Sequence, residues 1–197
     1  MATAKTSYEL LISKLDRFIR KYYINKLIKG TLYSVGIVLA LFTLFSVLEY
    51  YMYFPSSTRK MMFFSFVGVS VAAIGGWIFL PLLNYFKLGK VISHEKAASI
   101  IGDHFGNVQD KLLNVLQLKK QSSASNEASL INASINQKIG ELNPVPFKAA
   151  INLNQNRKYL RFALPPLLLL LLILLVDARI IENGTTRLIN NDTEFER

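Results

Sequence analysis

The chain has 197 residues, of which 51% are hydrophobic and none is cysteine, and its formal net charge is +10. The absence of thiols excludes disulfides, thiolate nucleophiles and cysteine-ligated metals. A basic excess points to nucleic acid only beside a reader fold or an aromatic stacking platform; the sequence shows neither, so no nucleic-acid partner is expected.

In residues 7–29, Leu11, Leu15, Phe18 and Tyr22 fall at i, i+4, i+7 and i+11 and share one stripe, while Lys14, Arg17 and Lys21 share another. The pattern predicts an amphipathic helix within residues 1–29, either lying under the inner leaflet or packing on its own protein. The basic lead and the apolar run that follows are too long for a cleavable signal peptide, and no small-x-small site follows.

Residues 30–48 and 61–83 carry no charged side chain. As helices they are long enough to cross roughly 30 Å of hydrocarbon. They predict a transmembrane hairpin over residues 30–86, with spans of about 30–54 and 61–86. Tyr50, Tyr51, Tyr53 and Phe54 suit one headgroup belt, and Tyr85 and Phe86 the other. Gly68, Ala72 and Gly76 recur every four residues on the second span, and Gly36 and Ala40 do so on the first. Small residues at this spacing let helix backbones approach closely in lipid. The two faces are expected to meet, with homodimerisation through the Gly68 face as the alternative.

Residues 87–161 predict a helical loop. Ser93 is a good N-cap, and Ala97, Ala98, Ile101 and Phe105 follow at helical spacing. Val108, Leu112, Val115 and Leu116 form a second apolar stripe, and Ile131, Ile135, Ile139 and Leu142 a third. A serine-rich break over 121–126 separates these last two, and Asn143-Pro144-Val145-Pro146 ends the run. Such narrow apolar faces form only a marginal core by themselves. Residues 162–176 are again uncharged, and the third span is expected over 162–181, with Pro165 and Pro166 in its first turn. The remaining residues, 182–197, read as an extracytoplasmic tail of strand-like composition, expected to be either the start of a truncated domain or an ordinary disordered tail.

Charge sets the expected orientation. Before the first span lie Lys5, Lys14, Arg17, Arg20, Lys21, Lys26 and Lys29. Residues 87–161 carry eleven further Lys and Arg against Glu95, Asp103, Asp110, Glu127 and Glu141, whereas acids dominate beyond the third span. Lys and Arg are retained on the cytoplasmic side. The N-terminus is therefore expected inside and the C-terminus across the membrane, with residues 87–161 cytoplasmic. Lys14, Arg17, Lys21, Lys111, Lys119 and Lys120 are the basic residues expected to face anionic lipid headgroups or a protein partner.

Candidate chemistry is sparse. On a continuous helix His94 and His104 would stand about 15 Å apart along the axis, too far to share a metal. Ser93-His94-Glu95-Lys96 matches the Ser-x-x-Lys dyad of penicillin-recognising enzymes, but its companion Ser-Asp-Asn and Lys-Thr-Gly elements are missing, and a helix cap accounts for the serine. No phosphate-binding loop, dinucleotide fingerprint or His-Glu-x-x-His occurs. No cofactor or metal is expected.

The run His94-Glu95-Lys96-Ala97-Ala98, then Ile101-Gly102-Asp103-His104-Phe105, then Val108-Gln109-Asp110-Lys111-Leu112-Leu113-Asn114-Val115-Leu116-Gln117-Leu118 resembles the N-terminal region of a family of very large bacterial inner-membrane proteins of unknown function. Its shared core reads D-[KR]-L-x-N-x-L-x-L. The resemblance implies a two-helix hairpin, a cytoplasmic helical segment and a third span leading into a long periplasmic portion, and it carries over no catalytic residue. The expectation is an all-α protein with three transmembrane helices, an amphipathic N-terminal helix and a helical cytoplasmic loop, acting as a non-enzymatic anchor or scaffold in the bacterial inner membrane. A channel or transporter subunit and a membrane hydrolase using Ser93 and Lys96 are the alternatives.

Overall fold

The computed structural model describes residues 6–122, 128–193 and 195. Every regular element among them is helical, as the periodicity predicts. In chain order they are α1 (Ser7–Met52), α2 (Ser56–Tyr85), α3 (His94–His104), α4 (Gln109–Ser122) and α5 (Ala128–Leu142). Two short 3-10 segments follow, Phe147–Ala150 and Leu153–Tyr159, then α6 (Leu160–Asp177) and α7 (Arg179–Ile189). Three stretches are long and apolar enough to cross a membrane: α1, α2 and the segment Phe147–Asp177 that contains α6. The chain packs as two units, one of Met1–Ile24 with Asn84–Leu153, the other of Asn25–Leu83 with Asn154–Arg197.

The first unit has a closed apolar core. Leu11, Leu15, Phe18, Ile19 and Tyr23 from α1 are buried against Ala97, Ala98 and Ile101 of α3, Leu112, Val115 and Leu116 of α4, and Ile135, Ile139 and Leu142 of α5. Fully burying an aliphatic or aromatic side chain contributes about 1.5–3 kcal/mol. The N-terminal stripe thus supplies the apolar partner that the three short helices lack, and α1 packs on its own protein rather than lying along a bilayer surface. Ser93 caps α3 by accepting a hydrogen bond from the Lys96 backbone N–H at 3.2 Å. The Tyr23 hydroxyl accepts one from the Ile92 N–H at 3.0 Å, fixing the approach to that cap. The serine-rich break falls largely on 123–127, which lies outside the described residues, as does the side chain of Ile131.

The amphipathic stretch and the first apolar run belong to one helix: α1 continues unbroken for 46 residues. A lone glycine inside a helix costs about 1 kcal/mol relative to alanine, too little to end it. Gly30 is there for another reason. A Cβ at that position would lie 2.0 Å from the Trp77 carbonyl oxygen, so only glycine lets α2 come this close.

In the second unit the pattern of burial is inverted. The buried positions of α1 are small or polar (Gly30, Ser34, Gly36, Thr43, Ser46 and Glu49), while Phe64, Val71, Leu168, Leu172 and Leu175 stand exposed. This is the arrangement lipid favours, since large apolar side chains gain nothing by leaving hydrocarbon whereas close backbone packing and interhelical hydrogen bonds do stabilise. The Ser34 hydroxyl donates to the Ala73 carbonyl at 3.2 Å. Gly36 meets α6: a Cβ there would lie 2.5 Å from the Phe162 carbonyl oxygen. The usual helical donor to that carbonyl, four residues on, is Pro166, which has no N–H. The two prolines lie inside α6, which begins at Leu160 rather than at 162, and they expose a carbonyl where a glycine can approach it.

Two expectations are corrected here. The small residues of the second span do not pack on the first: among the described residues nothing beyond the local helix lies within 4 Å of a Cβ built at Gly68 or Gly76, and Ala72 and Ala40 are exposed. Gly36 faces α6 instead. The tail begins as a helix, which runs to Ile189, rather than as a strand. Ile181, Gly184 and Leu188 are buried at i, i+3 and i+7 on α7. Its β-branched composition suggested a strand, but its apolar period is that of a helix, and a helix satisfies its own backbone where a lone strand would leave an open edge.

Candidate functional site

Two of the basic residues singled out in the sequence come together in the first unit. Lys14 and Arg17, three residues apart on α1, and Lys148, from the segment after α5, line a cleft of about 240 Å³ floored by Val145, Pro146 and Phe147. The Lys14 Nζ donates to the Asn143 carbonyl at 2.7 Å, and the Lys21 Nζ donates to the Lys148 carbonyl at 2.7 Å. These bonds tie the proline-rich return to α1. Neither bond neutralises its ammonium, because a carbonyl accepts a hydrogen bond without carrying a counter-charge. No carboxylate is among the residues lining the cleft. An anionic group beside an apolar one is what this surface can accommodate.

Lys111, Lys119 and Lys120 are used differently. Lys111 pairs with Glu141 at 2.6 Å, joining α4 to α5, and Lys120 pairs with Glu95 at 2.9 Å, joining α4 to α3. Lys119 sits over the Tyr8 ring at 5.5 Å. The hydrogen bond from Lys120 holds the Glu95 carboxyl down at about 2, and that from Lys111 lowers Glu141. These three lysines therefore join elements within the unit, which gives them partners the sequence pattern did not reveal.

Asp16 forms a further cluster, accepting from Lys87 Nζ at 3.0 Å and lying 3.1 Å from His94 Nε2. Partial burial raises the Asp16 carboxyl, but the hydrogen bonds to His94 and Lys87 outweigh it, and the net shift is downward from 3.8. A lowered folded-state value means that the unfolded chain binds the proton more readily. The contribution is then complete above the ordinary aspartate range and disappears as pH falls through the lowered value. The thermal midpoint of the detergent-solubilised chain is expected to drop from pH 6 to pH 3, and to drop less in Asp16→Asn. An equal drop in both would show that Asp16 contributes nothing.

The Ser93 hydroxyl is engaged as the α3 cap. Among the described residues no three His, Asp or Glu side chains gather in a way that could hold a metal ion.

In the second unit, sequence reasoning missed an ionic cluster. Glu49 and Arg59, which flank the turn between α1 and α2, are 1% and 2% exposed, with Arg59 Nε 3.6 Å from Glu49 Oε1. Arg59 Nε also donates to the Phe54 carbonyl at 3.0 Å. Arg187 of α7 lies over the Tyr53 ring at 4.0 Å, and Tyr53 itself turns the chain with φ 50°. Lys60 pairs with Asp192, and the Ser56 hydroxyl donates to the Asn191 carbonyl at 2.6 Å, so the end of α7 is tied to the start of α2. Ser46 and Thr185 share a hydrogen bond of 3.1 Å on the same side. The signal in the sequence was spacing: Glu49 lies one helical turn after Phe45 and Ser46, still in phase with the buried face of α1.

Set against protein-family models, curated proteins and solved structures, the chain matches none of them.

Proposed function

We propose that this is a non-enzymatic anchor of the bacterial inner membrane, whose helical unit offers its basic cleft to an acidic segment of a protein partner. The observation that supports it most is the contrast between the two units. One has exposed apolar helices and small buried residues suited to lipid; the other has a closed apolar core with a charged cleft at Lys14, Arg17 and Lys148. The Lys/Arg distribution supports placing the second of these in the cytoplasm and Asn190 across the membrane. The likeness of residues 94–118 to the family of large inner-membrane proteins supports the anchor role.

The absence of cysteine makes the orientation easy to test. With an impermeant thiol reagent on intact cells, Asn190→Cys is expected to label and Gln137→Cys is not; the opposite result would invert the chain. The partner reading is tested by a photo-crosslinking residue at position 149, beside the cleft. One discrete adduct is expected, lost in a Lys14→Glu/Lys148→Glu variant and kept in Lys138→Glu. An adduct indifferent to the cleft charges would defeat the reading. The buried Glu49–Arg59 pair favours a channel subunit as the second reading, because ionisable groups on spanning helices often mark ion paths. Ion flux in proteoliposomes abolished by Glu49→Gln would establish it over the anchor.

A further inference from the structure

Within the second unit, α1, α2 and α7 line a cleft of about 230 Å³ whose walls are Phe45, Met62, Phe63, Phe66, Leu188 and Ile189 with neighbours that include the polar Thr185. That volume is too small for a helix, whose diameter with side chains is about 10–12 Å, but suits a run of methylene groups. The lining residues are followed directly by charge. Arg59 is one turn from Met62 on α2, Arg187 adjoins Leu188 on α7, and Glu49 is one turn from Phe45 on α1. The two guanidinium groups flank the Phe195 ring at 5.0 and 5.9 Å. Counted over the described Glu49, Arg59 and Arg187, one carboxylate against two guanidinium groups leaves a formal surplus of one positive charge.

Its hydrogen bonding is also incomplete. Arg59 Nη1 and Arg187 Nη1 are both buried without a hydrogen-bond partner, as is Glu49 Oε2. A buried N–H left unpaired costs about 1–3 kcal/mol, more when charged. A phosphate oxygen is the acceptor that guanidinium groups match best. We propose that this end of the membrane unit binds one anionic phospholipid from the surrounding bilayer. One acyl chain lies in the aromatic cleft, and the headgroup phosphate is held by Arg187 and Arg59. Charge separates this occupant from a zwitterionic lipid, whose own cation would compete with the arginines, and from an apolar face of a second copy, which offers the arginines nothing.

The chain holds a single tryptophan, so a reporter can be moved into the cleft. The full chain carrying Trp77→Phe and Phe63→Trp is placed in phosphatidylcholine nanodiscs and titrated with dibrominated phosphatidylglycerol or dibrominated phosphatidylcholine. Fluorescence is expected to half-quench at about a fivefold lower mole fraction of the anionic lipid, the factor given by roughly 1 kcal/mol per basic residue at an anionic surface. Adding Arg187→Gln is expected to bring the ratio close to one while leaving the phosphatidylcholine curve in place, which a collapsed cleft would not do. Equal curves in the parent, a preference that survives Arg187→Gln, or quenching by neither lipid would each overturn the proposal, the last by showing protein in the cleft. If the reporter variant fails to fold, native mass spectrometry of the unsubstituted chain released from mixed nanodiscs decides. One retained phosphatidylglycerol per chain supports the site; none, or retention in proportion to the mixture, overturns it.

Discussion

Arg59→Met is expected to cost the protein about 3–5 kcal/mol. The reason lies in what remains rather than in what is removed. Glu49 is 1% exposed, and its Oε1 faces the arginine at 3.6 Å. Without the guanidinium its carboxylate would be buried on a spanning helix with one partner fewer and no water to replace it. The Phe54 carbonyl would lose its donor as well, which loosens the turn between α1 and α2. Thermal or denaturant unfolding of the detergent-solubilised chain measures the loss.

The reciprocal change, Glu49→Leu, leaves a buried arginine and is expected to destabilise comparably. The double variant Glu49→Leu/Arg59→Met should recover most of the loss, because a buried pair replaced by well-packed apolar groups of similar volume is often neutral or stabilising. A coupling energy of several kcal/mol in this double-mutant cycle is the expected signature. Additive losses would mean that the two groups act independently and that the ion pair is incidental.

What the sequence revealed follows from how each signal arises. Spans announce themselves through uninterrupted apolar runs, and the stripes of α1, α3, α4 and α5 through the 3.6-residue period; the structure has both. The Ser93 cap was legible because capping is local chemistry. The missed features depend on partners distant in the chain. Spacing marked Gly68, Ala72 and Gly76 as a packing face, yet whether a small residue is used depends on what the fold brings to it, and among the described residues no neighbouring element meets Gly68 or Gly76. Gly30 and Gly184 carried no repeat and yet sit under carbonyls of neighbouring helices. The basic cleft was half visible: Lys14 and Arg17 share a face of α1, but Lys148 reaches them only through the Asn143–Lys14 and Lys148–Lys21 hydrogen bonds. The Glu49–Arg59 pair was hidden because charged residues beside a turn usually stand in water.

Substituting valine at Gly36 or Gly184 should separate used from unused small residues. A Cβ at Gly36 would lie 2.5 Å from the Phe162 carbonyl oxygen, and one at Gly184 2.1 Å from the Ser46 carbonyl oxygen. Backbone cannot give way as a flexible side chain can, so the helices must move apart, at a cost of about 1–3 kcal/mol for overpacking. At Gly184 the separation also breaks the Ser46–Thr185 hydrogen bond and pulls Leu188 from its buried position, so α7 should detach before the rest unfolds. Hydrogen exchange in the α7 amides would then rise while that of the α1–α2 contact near Ser34 holds. Gly68→Val and Gly76→Val meet open space, and in a monomer they should shift stability by a few tenths of a kcal/mol through helix propensity alone. If valine at Gly68 proved as damaging as at Gly36, that face would have to be covered by a second copy, and the exposed stripe of α2 would be an interface after all.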